Sequence, residues 1–276
     1  MLTPETIEQF NEIIHRAGEL VLSARYDTSP AHSTSQLGVE TKEGSVNFVT
    51  KYDKEVQALL EEELSAALPG ATFLAEEDEP GANTGTGSGY TFVIDPIDGT
   101  TNFIKDYRMS SISVGLLYNG EPVWGAVLQP YTGDLYHASK GGGAYLGDRQ
   151  IFVSNAKLDR SLIVFGTSPY QRETLGRKSM VAATELLMKT VDLRRSGTAA
   201  YDLCTLAAGK ADGFFELSLS PWDYAAGGLI LTEAGGIVTD IDGNPLPIRA
   251  GVKSSVVAGN HNNYIDILDI VRAACR

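Results

Sequence analysis

Apolar residues recur at helical spacing near the start of the chain. Ile7, Phe10, Ile13, Ile14, Ala17, Leu20, Val21 and Ala24 fall on one face. Thr3-Pro4-Glu5 opens this helix with a capping threonine, a proline at the first helical position and an acid in the first turn. A second amphipathic helix is predicted over Asp53–Leu68 and is closed by Pro69-Gly70. Between the two, residues 28–46 are polar and rich in serine and glycine, which reads as a long loop. Loops of that length inside a compact domain are often functional. The period then shortens. Ala71–Ala75 reads as a strand ending at Glu76-Glu77, and Tyr90–Ile94 as a strand that stops at Asp95, with a flexible connector over Glu79–Gly89. Ser111–Ser154 has the alternation of an antiparallel meander, with turns at Asn119-Gly120, Thr132-Gly133 and Gly141-Gly142-Gly143.

The pattern changes after about residue 155. Short apolar strands at Leu162–Phe165, Val191–Leu193, Phe214–Leu217 and Val256–Ala258 alternate with helices near Arg177–Lys189, Thr198–Ala208, Asp223–Glu233 and Asn263–Ala274. Such alternation is the signature of an α/β unit. The chain therefore reads as mixed α/β, with an α+β lobe over 1–154 and an α/β lobe over 155–276. Its 276 residues, 43% of them hydrophobic, supply enough apolar surface for a sizeable core.

Charge narrows the range of partners. The net charge of -13 disfavours nucleic acid and anionic membranes. It also sits poorly with an anionic substrate unless cations neutralise the site. Cys204 and Cys275 form no secretory framework, the first ten residues lack the pattern of a signal peptide, and no stretch has membrane-spanning length. A cytoplasmic location is expected.

Three acidic groups stand at the ends of predicted elements: Glu76-Glu77, Asp95 with Asp98, and Asp223. Ligands commonly bind beyond the carboxyl ends of strands in open α/β sheets. Hard divalent cations take oxygen ligands, and carboxylates gathered without cations repel one another. Any one of these acids would ordinarily be a surface residue. The run Asp95-Pro96-Ile97-Asp98-Gly99-Thr100-Thr101 is more particular. Proline ends the strand, two aspartates bracket a position for metal, and the Ile97 carbonyl offers one more oxygen. Gly99 admits a ligand close to the backbone, and Thr100 and Thr101 cap a short helix whose amides face a phosphate.

Phe92-Val93-Ile94-Asp95-Pro96-Ile97-Asp98-Gly99-Thr100-Thr101-Asn102-Phe103 resembles the first signature of the inositol monophosphatase family. Trp222-Asp223-Tyr224-Ala225-Ala226-Gly227, continuing to Glu233-Ala234-Gly235-Gly236, resembles the second. Val49-Thr50 with Asp53, Glu76-Glu77 and Gly197-Thr198-Ala199-Ala200 follow the family's order. The resemblance covers nearly the whole chain. It implies a layered αβαβα sandwich, a homodimer, and lithium-sensitive, Mg2+-dependent hydrolysis of a small phosphorylated polyol or sugar. The foremost substrate is myo-inositol monophosphate; relatives of this architecture take fructose 1,6-bisphosphate or 3'-phosphoadenosine 5'-phosphate, and others serve as non-catalytic regulators.

The same resemblance implies roles residue by residue. Glu76, Asp95 and the Ile97 carbonyl are expected to bind one metal, and Asp95, Asp98 and Asp223 a second. Thr100 with Glu76 is expected to activate water, the Gly99 and Thr100 amides to hold phosphate, and Asp98, Gly197, Thr198, Ala199 and Glu216 to contact substrate hydroxyls. Glu77 and Asp53 are expected in support, and Lys42 near a third, weaker metal. Ser220 departs from the family, many of whose bacterial members carry a basic residue there.

Other signals read as structure. His15, His32, His137 and His261 have no zinc spacing, Cys204 reads as core, and Trp222 reads as a brace for the Asp223 turn. For Arg194-Arg195, an anion-binding pair and a strand-end surface pair stand as equal readings.

Overall fold

Thr3 caps the first helix by accepting a hydrogen bond from the Thr6 amide at 3.2 Å, and helix α1 (Pro4–Tyr26) follows. The structure is a computed structural model that describes residues 2–26, 37–42, 48–78 and 88–276. Most of the loop expected over 28–46 and most of the connector expected over 79–89 lie outside the described residues, as does His32. Strands β1 (Glu40–Thr41) and β2 (Phe48–Val49) form a small antiparallel ribbon. Helix α2 (Lys51–Ala67) starts two residues before the predicted point, because Thr50 and Asp53 form a reciprocal capping box.

Strands β3 (Thr72–Ala75) and β4 (Tyr90–Asp98) come next, then the short helix α3 (Thr100–Ile104). The meander forms as predicted: β5 (Ser111–Tyr118), β6 (Glu121–Gln129), β7 (Asp134–Ser139), β8 (Gly143–Leu146) and β9 (Arg149–Ile151). Together β3 to β9 make a seven-stranded sheet in sequence order. The later elements are β10 (Leu162–Phe165), α4 (Arg177–Leu187), β11 (Asp192–Arg194), α5 (Ala199–Ala207), β12 (Gly213–Leu219), α6 (Pro221–Glu233), β13 (Ile237–Thr239), β14 (Ser254–Gly259) and α7 (Tyr264–Cys275). Their strands form a second sheet in the order β11-β10-β12-β14-β13. Among the described residues, no helix is long and apolar enough to cross a membrane.

Side-chain alternation sets the layers. Phe92, Ile94, Val114, Leu116, Trp124 and Leu128 bury one face of the large sheet against Phe10, Ile13, Ile14, Val56 and Leu60 of α1 and α2. In the second sheet, Phe214, Val256 and Ala258 face Leu203, Cys204 and Ile230 of α5 and α6. Their neighbours Phe215 and Val257 face Leu186 of α4 and Ile267 and Val271 of α7. The order α1/α2, sheet, α5/α6, sheet, α4/α7 is an αβαβα sandwich. Each fully buried aliphatic or aromatic side chain contributes roughly 1.5–3 kcal/mol of transfer free energy.

Two expectations are corrected. β4 does not stop at Asp95 but runs through Pro96 to Asp98. Asp95 pairs with Ser113 and Asp98 with Ser111, so the register shifts between them. Pro96 sits in this irregularity, where its missing N–H removes no ladder bond. Strand β13 was not predicted. It has three residues, all half-buried, too few to show a period.

Helix α6 lies unusually close to the large sheet. A methyl group at Gly125 would come within 2.9 Å of the Ala226 Cα, and one at Gly115 within 3.1 Å of the Ala225 Cβ. On the opposite side, a methyl at Gly227 would meet Leu203 Cβ at 3.0 Å. Small residues on both partners let this helix slide between sheet and α5, and its N-terminus brings Asp223 to the end of β4.

Candidate metal and substrate site

The register irregularity of β4 and the N-terminus of α6 converge. Ligand oxygens of Asp95, Asp98 and Asp223 all lie within 4.8 Å of one another. Each carboxylate is fixed by its own local structure. Asp95 accepts the Ile97 amide at 3.1 Å. Asp98 accepts Thr198 Oγ1 at 2.5 Å, the Ala200 amide at 2.8 Å and Ser111 Oγ at 3.3 Å. Asp223 accepts the Ser220 amide at 2.6 Å, which closes a capping box at the start of α6. Ser220, the departure noted in the sequence, is thus the N-cap of this helix.

One cavity of about 510 Å3 is lined by Glu76, Asp95, Ile97, Asp98, Gly99, Thr100, Gly197, Thr198, Ala199, Glu216 and Asp223. Every site residue read from the sequence therefore meets the others at one place. Lys42 enters the same cavity and binds Glu76 at 3.1 Å and Glu77 at 2.5 Å. Trp222 lines the wall while packing beside Leu74, Val93, Leu117 and Ala225, and its carbonyl accepts Ser113 Oγ at 3.0 Å. It braces the Asp223 turn, as its sequence context indicates.

Burial and mutual repulsion show what the acids lack. Burial, then Glu76, Asp98 and Asp223, push Asp95 well above the usual carboxylate range. Burial, then Asp98 and Glu76, do the same to Asp223. Burial moves Asp98 to about 6, opposed by its bonds from Thr198 and Ala200. The donors are all oxygens, and the charged forms of these groups are destabilised as they stand. A hard divalent cation fits both features.

One local expectation changes. Thr100 and Thr101 do not cap α3. Gly99 is its N-cap, in the left-handed region at φ 90°. A Cβ there would lie 3.1 Å from the Gly197 carbonyl and 3.2 Å from that of Met109, so only glycine fits. Thr100 Oγ1 instead lies 3.2 Å from the Ile97 carbonyl and 3.3 Å from Asp53 Oδ1. The hydroxyl is thus held by Asp53, which fits the supporting place expected for that residue. Asp53 also accepts the Thr50 amide at 2.8 Å, and burial raises it to about 6. The family resemblance singled out Asp53 in the sequence, but nothing there showed its link to Thr100.

Sequence reasoning missed Asp202, Tyr170 and Lys253, which also line the cavity. Asp202 is buried and pushed well above the usual range by that burial. A single acid in the apolar stretch of α5 was its only trace. The pair Arg194-Arg195 divides: Arg194 pairs with Asp192, whereas Arg195 lines the cavity. Cys204 is buried core, and His137 stacks on Tyr145.

The model of the inositol monophosphatase family matches residues 4–273. A protein of Neisseria meningitidis serogroup A named putative Nus factor SuhB is 38% identical over 259 residues, which cover 94% of each chain. Inositol-1-monophosphatase of Rhizobium meliloti is 40% identical over 220 residues, covering 79% of this chain and 80% of that one. Among solved structures, extragenic suppressor protein SuhB of Bartonella henselae superposes with a TM-score of 0.84 at 30% identity, covering 96% of this chain and 98% of that one.

Proposed function

The chain belongs to the inositol monophosphatase family, and on that premise we propose that it hydrolyses a small phosphate monoester with Mg2+, myo-inositol monophosphate being the substrate. The observation that carries this reading is the meeting of Asp95, Asp98 and Asp223 within 4.8 Å in a cavity that also receives Glu76 and Thr100. Those four carboxylates and the Ile97 carbonyl would hold the cations. When bound, Mg2+ supplies positive charge that offsets the phosphate oxygens and makes nearby water acidic enough to attack at neutral pH.

The protein's own groups do the rest. Phosphoryl transfer depends mainly on positioning and electrostatics. The amides of Gly99 and Thr100 would hold phosphate oxygens. Thr100, with Glu76, would position and activate the attacking water, and the hydrogen-bonded Thr100–Asp53 pair would carry its proton away. Water oxygen then bonds to phosphorus as the ester P–O bond breaks, and the alcohol leaves after protonation from solvent. No side chain forms a covalent intermediate, so a phosphorylated residue on rapid quench would refute the mechanism. Asp98, the backbone of Gly197 to Ala199 and Glu216 would contact hydroxyls of the substrate. The proposal extends to inhibition by lithium, a cytoplasmic homodimer, and a division of the chain into lobes 1–154 and 155–276.

The test is phosphate release from myo-inositol 1-phosphate, fructose 1,6-bisphosphate and 3'-phosphoadenosine 5'-phosphate, with Mg2+ titrated. Fastest turnover of the inositol ester, absent under chelation, is expected. Relatives bearing the name Nus factor favour a second reading, a regulatory protein on the same fold. Absence of Mg2+-dependent release across the panel would select it.

A further inference from the structure

Arg195 takes no part in the chemistry described so far, yet it lines the same cavity as Glu216. Each is held by one of two consecutive residues of a single loop. The Arg195 Nε donates to Thr167 Oγ1 at 3.2 Å, and the Ser168 amide donates to Glu216 Oε1 at 2.7 Å. Ser168 sits in the left-handed region at φ 45°, a conformation that a non-glycine residue keeps only when its surroundings enforce it. Here the Ser218 amide pins it by donating to Ser168 Oγ at 3.0 Å. Gly166 leaves the space that the Glu216 carboxylate occupies, since a methyl there would fall 1.8 Å from Glu216 Oε2. Arg195 is near enough to favour the charged form of Glu216, against the larger effect of burial.

We infer that Arg195 and Glu216 form one donor–acceptor unit that reads a pair of neighbouring hydroxyls, and that Arg195 is a specificity-determining residue for polyol phosphates. This deepens the proposed function and rests on it. Guanidinium presents several N–H donors and no acceptor, while carboxylate presents only acceptors. Lining one cavity and held by one loop, they match two neighbouring hydroxyls, one accepting from arginine and the other donating to glutamate. The alternative is that Arg195 binds a second phosphate. Charge argues against it: with Glu76, Asp95, Asp98 and Asp223 assigned to the cations, the cavity acids left near Arg195 are Glu216 and Asp202, and a second phosphate there would meet both. A substrate with one phosphate and a neutral, hydroxyl-rich remainder suits that balance.

The experiment compares kcat/KM of the wild type, Arg195→Gln and Arg195→Lys for three esters in Mg2+. These are myo-inositol 1-phosphate, p-nitrophenyl phosphate, which has no hydroxyls, and fructose 1,6-bisphosphate. In Arg195→Gln the ratio of inositol ester to nitrophenyl ester should fall about tenfold, mainly through KM, as loss of a charged hydrogen bond predicts. Arg195→Lys should recover part of it. An unchanged ratio would overturn the inference. So would a loss confined to the bisphosphate, which would assign Arg195 to a second phosphate. If the wild type releases phosphate from none of the three, the phosphatase reading itself fails, and that result is visible before any variant is made.

Discussion

Removing divalent cations should make this protein less stable as pH rises from 5 to 7.5. Burial moves Asp53 and Asp98 from an ordinary 3.8 to about 6, and Glu216 from 4.5 to about 7. Because these values are raised on folding, the folded state binds more protons than the unfolded one between pH 4 and 7. Stability is therefore unpenalised below the unfolded values and declines as pH climbs through the folded ones. Between pH 5 and 7.5 each of the three groups loses on the order of 1–2 kcal/mol. Together this is on the order of 5 kcal/mol, or roughly 10 °C in Tm for a chain of this size. Scanning calorimetry in chelator at both pH values measures it directly. Adding Mg2+ should raise Tm more at pH 7.5 than at pH 5, since protons and cations compete for Asp98 and its neighbours. Repulsion between surface charges gives a similar trend, but 0.5 M salt screens it while leaving buried groups largely unaffected. A chelated Tm that is flat or rising over this range in high salt would refute the reasoning.

Asp95→Asn keeps the oxygen that accepts the Ile97 amide but loses the charge, so phosphate release should vanish while circular dichroism stays native; near-normal activity would remove Asp95 from the candidate ligands. Thr100→Ala deletes the hydroxyl held by Asp53 and should lower kcat about 10²-fold or more with KM little changed, as expected for loss of a group that handles a proton. Gly125→Val would drive a side chain into Ala226 and should cost about 1–3 kcal/mol by denaturant titration, together with weaker Mg2+ binding, because Asp223 stands three residues upstream on the same helix.

Much of this was legible in the sequence because periodicity and turn chemistry are local. The apolar stripe of α1, the alternation through β5 and the Asn119-Gly120 turn each declare themselves within a few residues. The acids of the candidate site were legible for a different reason: at strand ends, next to proline and glycine, they form a pattern that ordinary surface residues do not, whereas Gly197 to Ala199 and Glu216 stood out only through the family resemblance. What stayed hidden depends on long-range packing. Pro96 reads as a strand terminator until the partner strand is known to slip its register at that point. Asp53 and Thr100 are 47 residues apart, and nothing local links them. Asp202 and Arg195 look like an isolated acid and half of a surface pair until the loop after β10 and the start of α5 are brought to one cavity.

The central claim is that Asp95, Asp98 and Asp223 gather divalent cations beside a phosphoryl group. Anomalous diffraction from crystals grown with Mn2+ and inorganic phosphate tests it most directly. The account predicts manganese peaks enclosed by these three carboxylates, with phosphate density against the Gly99 and Thr100 amides. Manganese found only elsewhere on the surface, with the three side chains turned from one another, would contradict it.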